Sequence, residues 1–312
     1  MNFYPYSHHK NKMGLKGPLC RLQRLVALIV ANAVPNQVLI RIIIFDFQGY
    51  SRHSRPMSNE QIQLGTVPYL NAAPLLAGLS QPLRRSHPRQ LAQQLIRGDI
   101  ELALLSTSVL FEHHNLYLVP GMAIGCRGPV QSVKLFFNKD ALTIENINRI
   151  ILSPNSNSAN QLTRILFPKA EFLDGQKIEK LEIPDAEVVI GDDALVRPDA
   201  FGSIDIGQLW WERTGLPFVF AAWISRSPHI SRSLWEQLHH VKQSNLKNLN
   251  TCLDQMTEPY PLDRNAQIRY LQDNIHYDLG DTEMRGLARF REECITHKLM
   301  PAVQPIHLAT II

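Results

Sequence analysis

From residue 60 onward, short apolar runs alternate with amphipathic stretches, the pattern of strands interleaved with helices in an α/β protein. The apolar runs predict strands over Ile62–Val67, Glu101–Leu105, Val133–Phe137, Arg149–Leu152, Val188–Ile190 and Phe218–Ile224. Helical spacing predicts helices over Asn71–Leu79 and Pro88–Arg97, a short one after Ser106-Thr107-Ser108, and another near Thr143–Asn148. A further helix starts within Asn155–Ser158 and runs to Phe167, and beyond Ser231 the pattern is helical.

The stretch Gly191–Arg226 carries the most information. It passes from a strand ending in acidic residues through an Asp-bearing turn and a Trp-rich helix into a long apolar strand. In open α/β sheets such a run builds a ligand cleft, because ligands sit beyond the carboxyl ends of the strands. The two long strands Val133–Phe137 and Phe218–Ile224 bracket a middle block of the chain. If both cross between lobes, residues 60–136 with 222–300 form lobe 1 and residues 137–221 form lobe 2. That is the two-lobed α/β architecture of the type II periplasmic-binding-protein-like fold, with two hinge crossovers. A single doubly wound sheet is the runner-up.

Residues 1–56 read differently. Arg21 and Arg24 precede the apolar run 25–30, and Ala31-Asn32-Ala33 follows, in the manner of a secretory signal. A second apolar run, Val38–Phe47, contains Arg41 and is too short to span a bilayer. Met57, a polar leader and the first strand then follow as in an ordinary start. The expectation is an extension outside the fold, disordered or a misassigned start, with a signal or interaction segment as the alternative.

Composition narrows the class. A chain of 312 residues, 45% hydrophobic and 19% charged, can bury one large core or two modest ones. The net charge is +4, and much of the excess precedes residue 57 (Lys10, Lys12, Lys16, Arg21, Arg24, Arg41, Arg52 and Arg55 against Asp46). The body is close to neutral, so a nucleic-acid partner is not expected. Cys20, Cys126, Cys252 and Cys294 are widely spaced and form no metal motif. No metal site is therefore expected. Ser-His-Asp order, HExxH, GxGxxG and GxxxxGK[ST] are all missing.

Candidate chemistry lies where strands give way to helices. Asn71, in Val67-Pro68-Tyr69-Leu70-Asn71, either caps a helix or faces a cleft where free N–H groups receive a carboxylate. Ser106-Thr107-Ser108 and Asn155-Ser156-Asn157-Ser158 repeat the device, as caps or as anion contacts, and together suggest a ligand with two or more negative groups. The link Gly125–Ser132 is either a plain turn or a way of bringing Arg127, Gln131 and Ser132 to the cleft. Asp192 and Asp205 read as solvated turn acids or as cleft residues, and Trp210 and Trp211 as core and surface neighbours.

The strings VPYLNAAPL (67–75), SVKLFF (132–137), IGDDAL (190–195), DIGQLW (205–210) and TGLPFVFAAW (214–223), in this order, resemble the chorismate dehydratases of the futalosine route to menaquinone. The resemblance covers residues 62–298 and implies a two-lobed, cofactor-free carbon–oxygen lyase of the cytoplasm. Such an enzyme removes water from chorismate to give 3-[(1-carboxyvinyl)oxy]benzoate, with no membrane or nucleic-acid partner. It makes Asn71 the residue at the reacting part of the substrate, and Ser106, Thr107, Ser156 and Ser158 its hydroxyl clusters. Tyr69, Ser132 and Asp192 complete the expected substrate contacts. Pro68, Val109 and Ala159 depart from the family pattern, which favours Ser, an acid and Ser there. The alternative is a solute-binding protein for a small dicarboxylate or aromatic acid, which would need export.

Overall fold

The computed structural model describes residues 62–140, 142–174, 183–256, 259–300 and 303–312. The extension read over residues 1–56 lies outside the described residues. All described residues fall within one compact unit, residues 54–312.

The chain lays down β1 (Leu64–Thr66), β2 (Leu83–Arg85), β3 (Leu102–Ser106) and β4 (Tyr117–Cys126). It continues with β5 (Val133–Phe137), β6 (Arg149–Leu152), β7 (Glu171–Asp174), β8 (Ala186–Ile190) and β9 (Ser203–Asp205), then β10 (Phe218–Ser225). Two five-stranded sheets result, in the orders β2-β1-β3-β10-β4 and β7-β6-β8-β5-β9. Each follows one plan. β1 is parallel to β2 and β3, β6 is parallel to β7 and β8, and each sheet holds one inner strand that runs antiparallel to its neighbours. β10 enters the first sheet between β3 and β4, and β5 enters the second between β8 and β9. Apolar runs such as Leu102–Leu105 and Phe218–Ile224 suit these places, because an inner strand covered on both faces needs apolar residues on both.

The helices are α1 (Ala73–Leu76), α2 (Pro88–Arg97), α3 (Val109–Glu112), α4 (Asn157–Leu166), α5 (Asp192–Val196) and α6 (Ile206–Thr214), then α7 (Arg232–Lys247), α8 (Leu249–Asp254), α9 (Arg264–Arg269) and α10 (Asp281–Thr296). α9 runs on into a π-helical turn, Tyr270–Asn274. No helix among the described residues is long and apolar enough to cross a membrane.

The two-lobed α/β reading holds, with three local differences. The strands Val133–Phe137 and Phe218–Ile224 do not themselves cross: each pairs along its length within one sheet, and the chain passes over in residues 127–132 and 215–217. Backbone groups inside a strand are committed to their ladder, so the hinge falls in the short links. The helix near Thr143–Asn148 is a single 3-10 turn, Ile144–Asn146, held by a Thr143–Asn146 capping box. The helix expected over Asn71–Leu79 is a 3-10 turn, Leu70–Ala72, followed by α1, and it stops before Gly78, whose φ is +83°.

The second link is packed tightly. Trp210 meets Phe218 edge-on at 5.4 Å, and Phe218 lies 4.7 Å from Phe290 on α10. A Cβ on Gly286 would stand 2.0 Å from the carbonyl oxygen of Pro217, so only glycine lets α10 lie against the second link.

Candidate active site

β1, β3, β6 and β8 end on a common gap between the two sheets. A cavity of about 610 Å³, with the open solvent at its mouth included, fills that gap. Asn71, Ser106, Ser132, Ser156 and Ser158 line it together with Tyr69 and Asn155, over an apolar floor that includes Leu105, Ile124 and Phe220. None of the lining side chains carries a formal charge.

Asn71 sits in the 3-10 turn after β1, where the Oη of Tyr277 donates to its main-chain carbonyl at 3.0 Å. Ser106 ends β3, and its Oγ lies 2.9 Å from that of Ser108. Ser156 caps α4, accepting from the N–H of Ala159 at 3.2 Å, so the positive end of that helix faces the cavity. Ser158, on the second half, donates to the carbonyl of Phe220 on β10 at 3.3 Å.

Ser132 ends the first link. Its N–H donates to the carbonyl of Val130 at 2.8 Å around Gln131, whose φ is +62°, and its carbonyl accepts from Gly191 at 2.8 Å. The Ser132 Oγ is buried and faces the cavity without a well-formed hydrogen bond in the protein, the Tyr270 hydroxyl being its nearest polar neighbour. A buried hydroxyl left unpaired costs about 1–3 kcal/mol, so an orphan here is a place prepared for a ligand group. The link is shaped by Asp205, which accepts from Val130 and Gln131 at 3.1 and 2.7 Å and also caps α6 through Gln208. Burial pushes the Asp205 carboxyl up, and these backbone donors oppose the shift.

The two halves touch around the cavity. The N–H of Leu70 donates to Asp192 at 3.1 Å, and His87 pairs with Asn155 at 2.6 Å. Gly191, with φ +69°, lets the Tyr69 ring approach so closely that a Cβ there would stand 2.7 Å from it. Burial, then the charges of Asp192 and Asp193, raise the Tyr69 phenol to about 12. Burial and Asp193 push Asp192 up to about 6, against the hydrogen bond from Leu70.

Of the expected contacts, Asn71, Tyr69, Ser106, Ser132, Ser156 and Ser158 are brought together. Thr107 is not: it is fully buried, donating through Oγ1 to Val219 at 2.8 Å and through N–H to Phe220 at 3.1 Å. At a strand end neighbouring side chains face opposite ways, so only one of a Ser-Thr pair reaches the cavity. Asp192 bridges the halves behind Tyr69 and does not line the cavity. Arg127 turns away to pair with the buried Glu283 at 2.7 Å. The departures at 109 and 159 also fall off the lining, and Ala159 is fully buried.

Nothing in the sequence marks His87, Tyr270 or Tyr277 as residues of the site. The Tyr270 hydroxyl lies beside the side chains of Asn71 and Ser132, which favour its ionised form; burial, the larger effect, drives it the other way, well above its ordinary range. No short-range signal marks a contact across about 200 residues of chain. Among the described residues, no group of three or more His, Cys, Asp or Glu could hold a metal ion.

A family model described as menaquinone biosynthesis matches residues 62–295. The chain is 29% identical over 258 residues to a chorismate dehydratase of Thermus thermophilus, covering 73% of this chain and 93% of that one. It is 25% identical over 246 residues to a chorismate dehydratase of Campylobacter jejuni, covering 74% and 96%. Among solved structures, a protein of Archaeoglobus fulgidus superposes with a TM-score of 0.60 at 14% identity, over 78% of this chain and 99% of that one. An ABC transporter of Parabacteroides distasonis does so with a TM-score of 0.51 at 13% identity, over 80% and 98%. At these identities the structures speak for the fold alone.

Proposed function

The chain belongs to the menaquinone biosynthesis family, and from that premise we propose that it is a chorismate dehydratase, a hydro-lyase that gives 3-[(1-carboxyvinyl)oxy]benzoate. The observation that carries the site assignment is the convergence of two amides, Asn71 and Asn155, and four serine hydroxyls on a single cavity, with the Ser132 Oγ lacking a well-formed hydrogen bond.

Chorismate carries two carboxylates, and the cavity offers neutral donors to both. Ser156 and the N-terminal N–H groups of α4 stand at one part of the lining, with Ser106 and Ser132 at others. Asn71 takes the reacting end, its amide polarising the departing ring hydroxyl. A neighbouring ring proton leaves, its C–H electrons form the new ring double bond, and the C–O bond breaks to release water. Aromatisation supplies the driving force. None of the lining side chains is an ordinary base at neutral pH, so the substrate's own carboxylate takes the ring proton and passes it to the departing hydroxyl, which leaves as water with the carboxylate regenerated. The protein contributes orientation and the exclusion of water as the halves meet at Leu70–Asp192 and His87–Asn155.

The enzyme works in the cytoplasm on a small molecule, without metal or organic cofactor and without a nucleic-acid or membrane partner. Incubation with chorismate, followed by ultraviolet absorbance, tests the proposal: a benzoate chromophore grows in, in proportion to enzyme, and none grows if the reading is wrong.

A further inference from the structure

We infer that Asp205 is a positioning residue, which holds the first link in a strained turn and thereby presents the Ser132 hydroxyl to the substrate. The inference rests on the cavity binding chorismate with Ser132 as one of its contacts. Gln131, the residue before Ser132, has φ +62°, and among the described residues only Lys298 adopts a positive φ without being glycine. Such a backbone is costly for a residue with a side chain and lasts only where surrounding contacts over-determine it. Gln131 itself does not line the cavity, whereas Val130, Ser132 and Val133 do. The strain therefore serves the neighbours, and of these only Ser132 brings a polar group, on a side chain buried to 1% exposure.

The contacts that over-determine the turn come from one carboxylate. Asp205 Oδ2 accepts from the N–H of Gln131 at 2.7 Å, and Oδ1 accepts from the N–H of Val130 at 3.1 Å and of Gln208 at 3.0 Å. Asp205 thus joins the link to the first turn of α6. Gly207 permits the approach, since a Cβ there would stand 2.7 Å from the Cys126 Sγ and 3.0 Å from the Gly128 carbonyl oxygen. On its other side Ser132 is held by its own carbonyl, which accepts from Gly191 at 2.8 Å. Ser132 is therefore fixed through its backbone from both directions, and the Asp205 side of that grip is the one that bears the strain.

Asp205→Asn separates this role from the capping of α6. The amide has a single acceptor oxygen. Placed at the Oδ1 position, it keeps the bonds to Val130 and Gln208, and its NH₂ group then faces the N–H of Gln131, donor against donor. The cap survives, and the bond that holds the strained residue is lost.

Steady-state kinetics with chorismate test the consequence. Asp205→Asn is expected to raise KM by about 2- to 10-fold with kcat within about threefold, because Ser132 meets a carboxylate while Asn71 takes the reacting end. In a Ser132→Ala background the same change is expected to alter KM by less than about twofold, since the group it positions is gone. Adding Gln131→Gly to Asp205→Asn is expected to return KM to within about twofold of the wild type, because glycine adopts a positive φ unaided. Equal loss in both backgrounds, no loss in the first, or no recovery with glycine overturns the inference. A second readout needs no substrate. In ¹H–¹⁵N spectra of protein labelled at glutamine, the Gln131 amide, assigned by its loss in Gln131→Gly, is expected to exchange with solvent about 2- to 10-fold faster in Asp205→Asn, while the Gln208 amide keeps its rate. An unchanged Gln131 rate overturns the holding role. A wild-type chain that leaves chorismate unaltered counts instead against the functional reading, and the exchange rates still decide whether Asp205 holds the link.

Discussion

The main-chain N–H of Leu70 donates to the carboxylate of Asp192 at 3.1 Å, joining the turn that carries Asn71 to the start of α5 on the opposite half. Burial raises that carboxyl to about 6, so closing the halves favours its protonated form. Between the ordinary value of 3.8 and about 6 the folded state holds more protons than the unfolded one, and stability falls as pH rises through that window. Asp192→Asn keeps the acceptor and removes the charge. The variant is expected to melt higher than the wild type above pH 6, with the advantage vanishing below about pH 4. Melting curves from pH 4 to 8 check this.

Asn71→Ala removes the amide assigned to the departing hydroxyl. A single preorganised donor of this type is worth on the order of 100-fold or more in rate, so kcat is expected to fall by at least that while the melting temperature holds. Near-normal turnover would remove Asn71 from its role.

Ser132→Ala separates stability from binding. The free protein loses a buried hydroxyl that makes no well-formed hydrogen bond, and its stability is expected to change by less than about 1 kcal/mol. Chorismate loses a partner and is expected to bind less tightly by about 0.5–1.5 kcal/mol. Thermal melts with and without substrate report both effects.

Gly191→Ala strikes the contact with Tyr69. The position has φ +69° and ψ −148°, a region almost reserved for glycine, and the added Cβ would stand 2.7 Å from the ring. A loss of about 1–3 kcal/mol in stability is expected, with a raised KM as Tyr69 is pushed from the cavity edge. Denaturant titration and steady-state kinetics measure the two effects.

How far the sequence reveals this molecule depends on the range of each interaction. Asn71, Ser106, Ser132, Ser156 and Ser158 are legible because each lies at a junction between an apolar run and its flanking loop or helix, where a strand end opens on a cleft. Thr107 shows why that rule over-reaches, since nothing local distinguishes it from Ser106, and its partner Val219 lies on a strand more than 100 residues away. β4 passes unread because Pro120-Gly121 interrupts its apolar run. The structure absorbs the interruption as a bulge against β10, with Gly121 at φ +91°. Trp235 and Lys242 of α7 donate to the freed carbonyls of Pro120 and Gly121, each at 3.0 Å. The hydrogen bonds that permit the bulge therefore come from the far end of the chain, as do Tyr270 and Tyr277, and no window of sequence contains both partners.

The most direct test of the account is the mass spectrum of a chorismate solution before and after incubation with the purified protein. The account predicts that chorismate disappears and a species lighter by one water takes its place, at a rate that Asn71→Ala abolishes. Chorismate recovered unchanged, while still raising the melting temperature of the protein, would contradict it and mark the cavity as a binding site only.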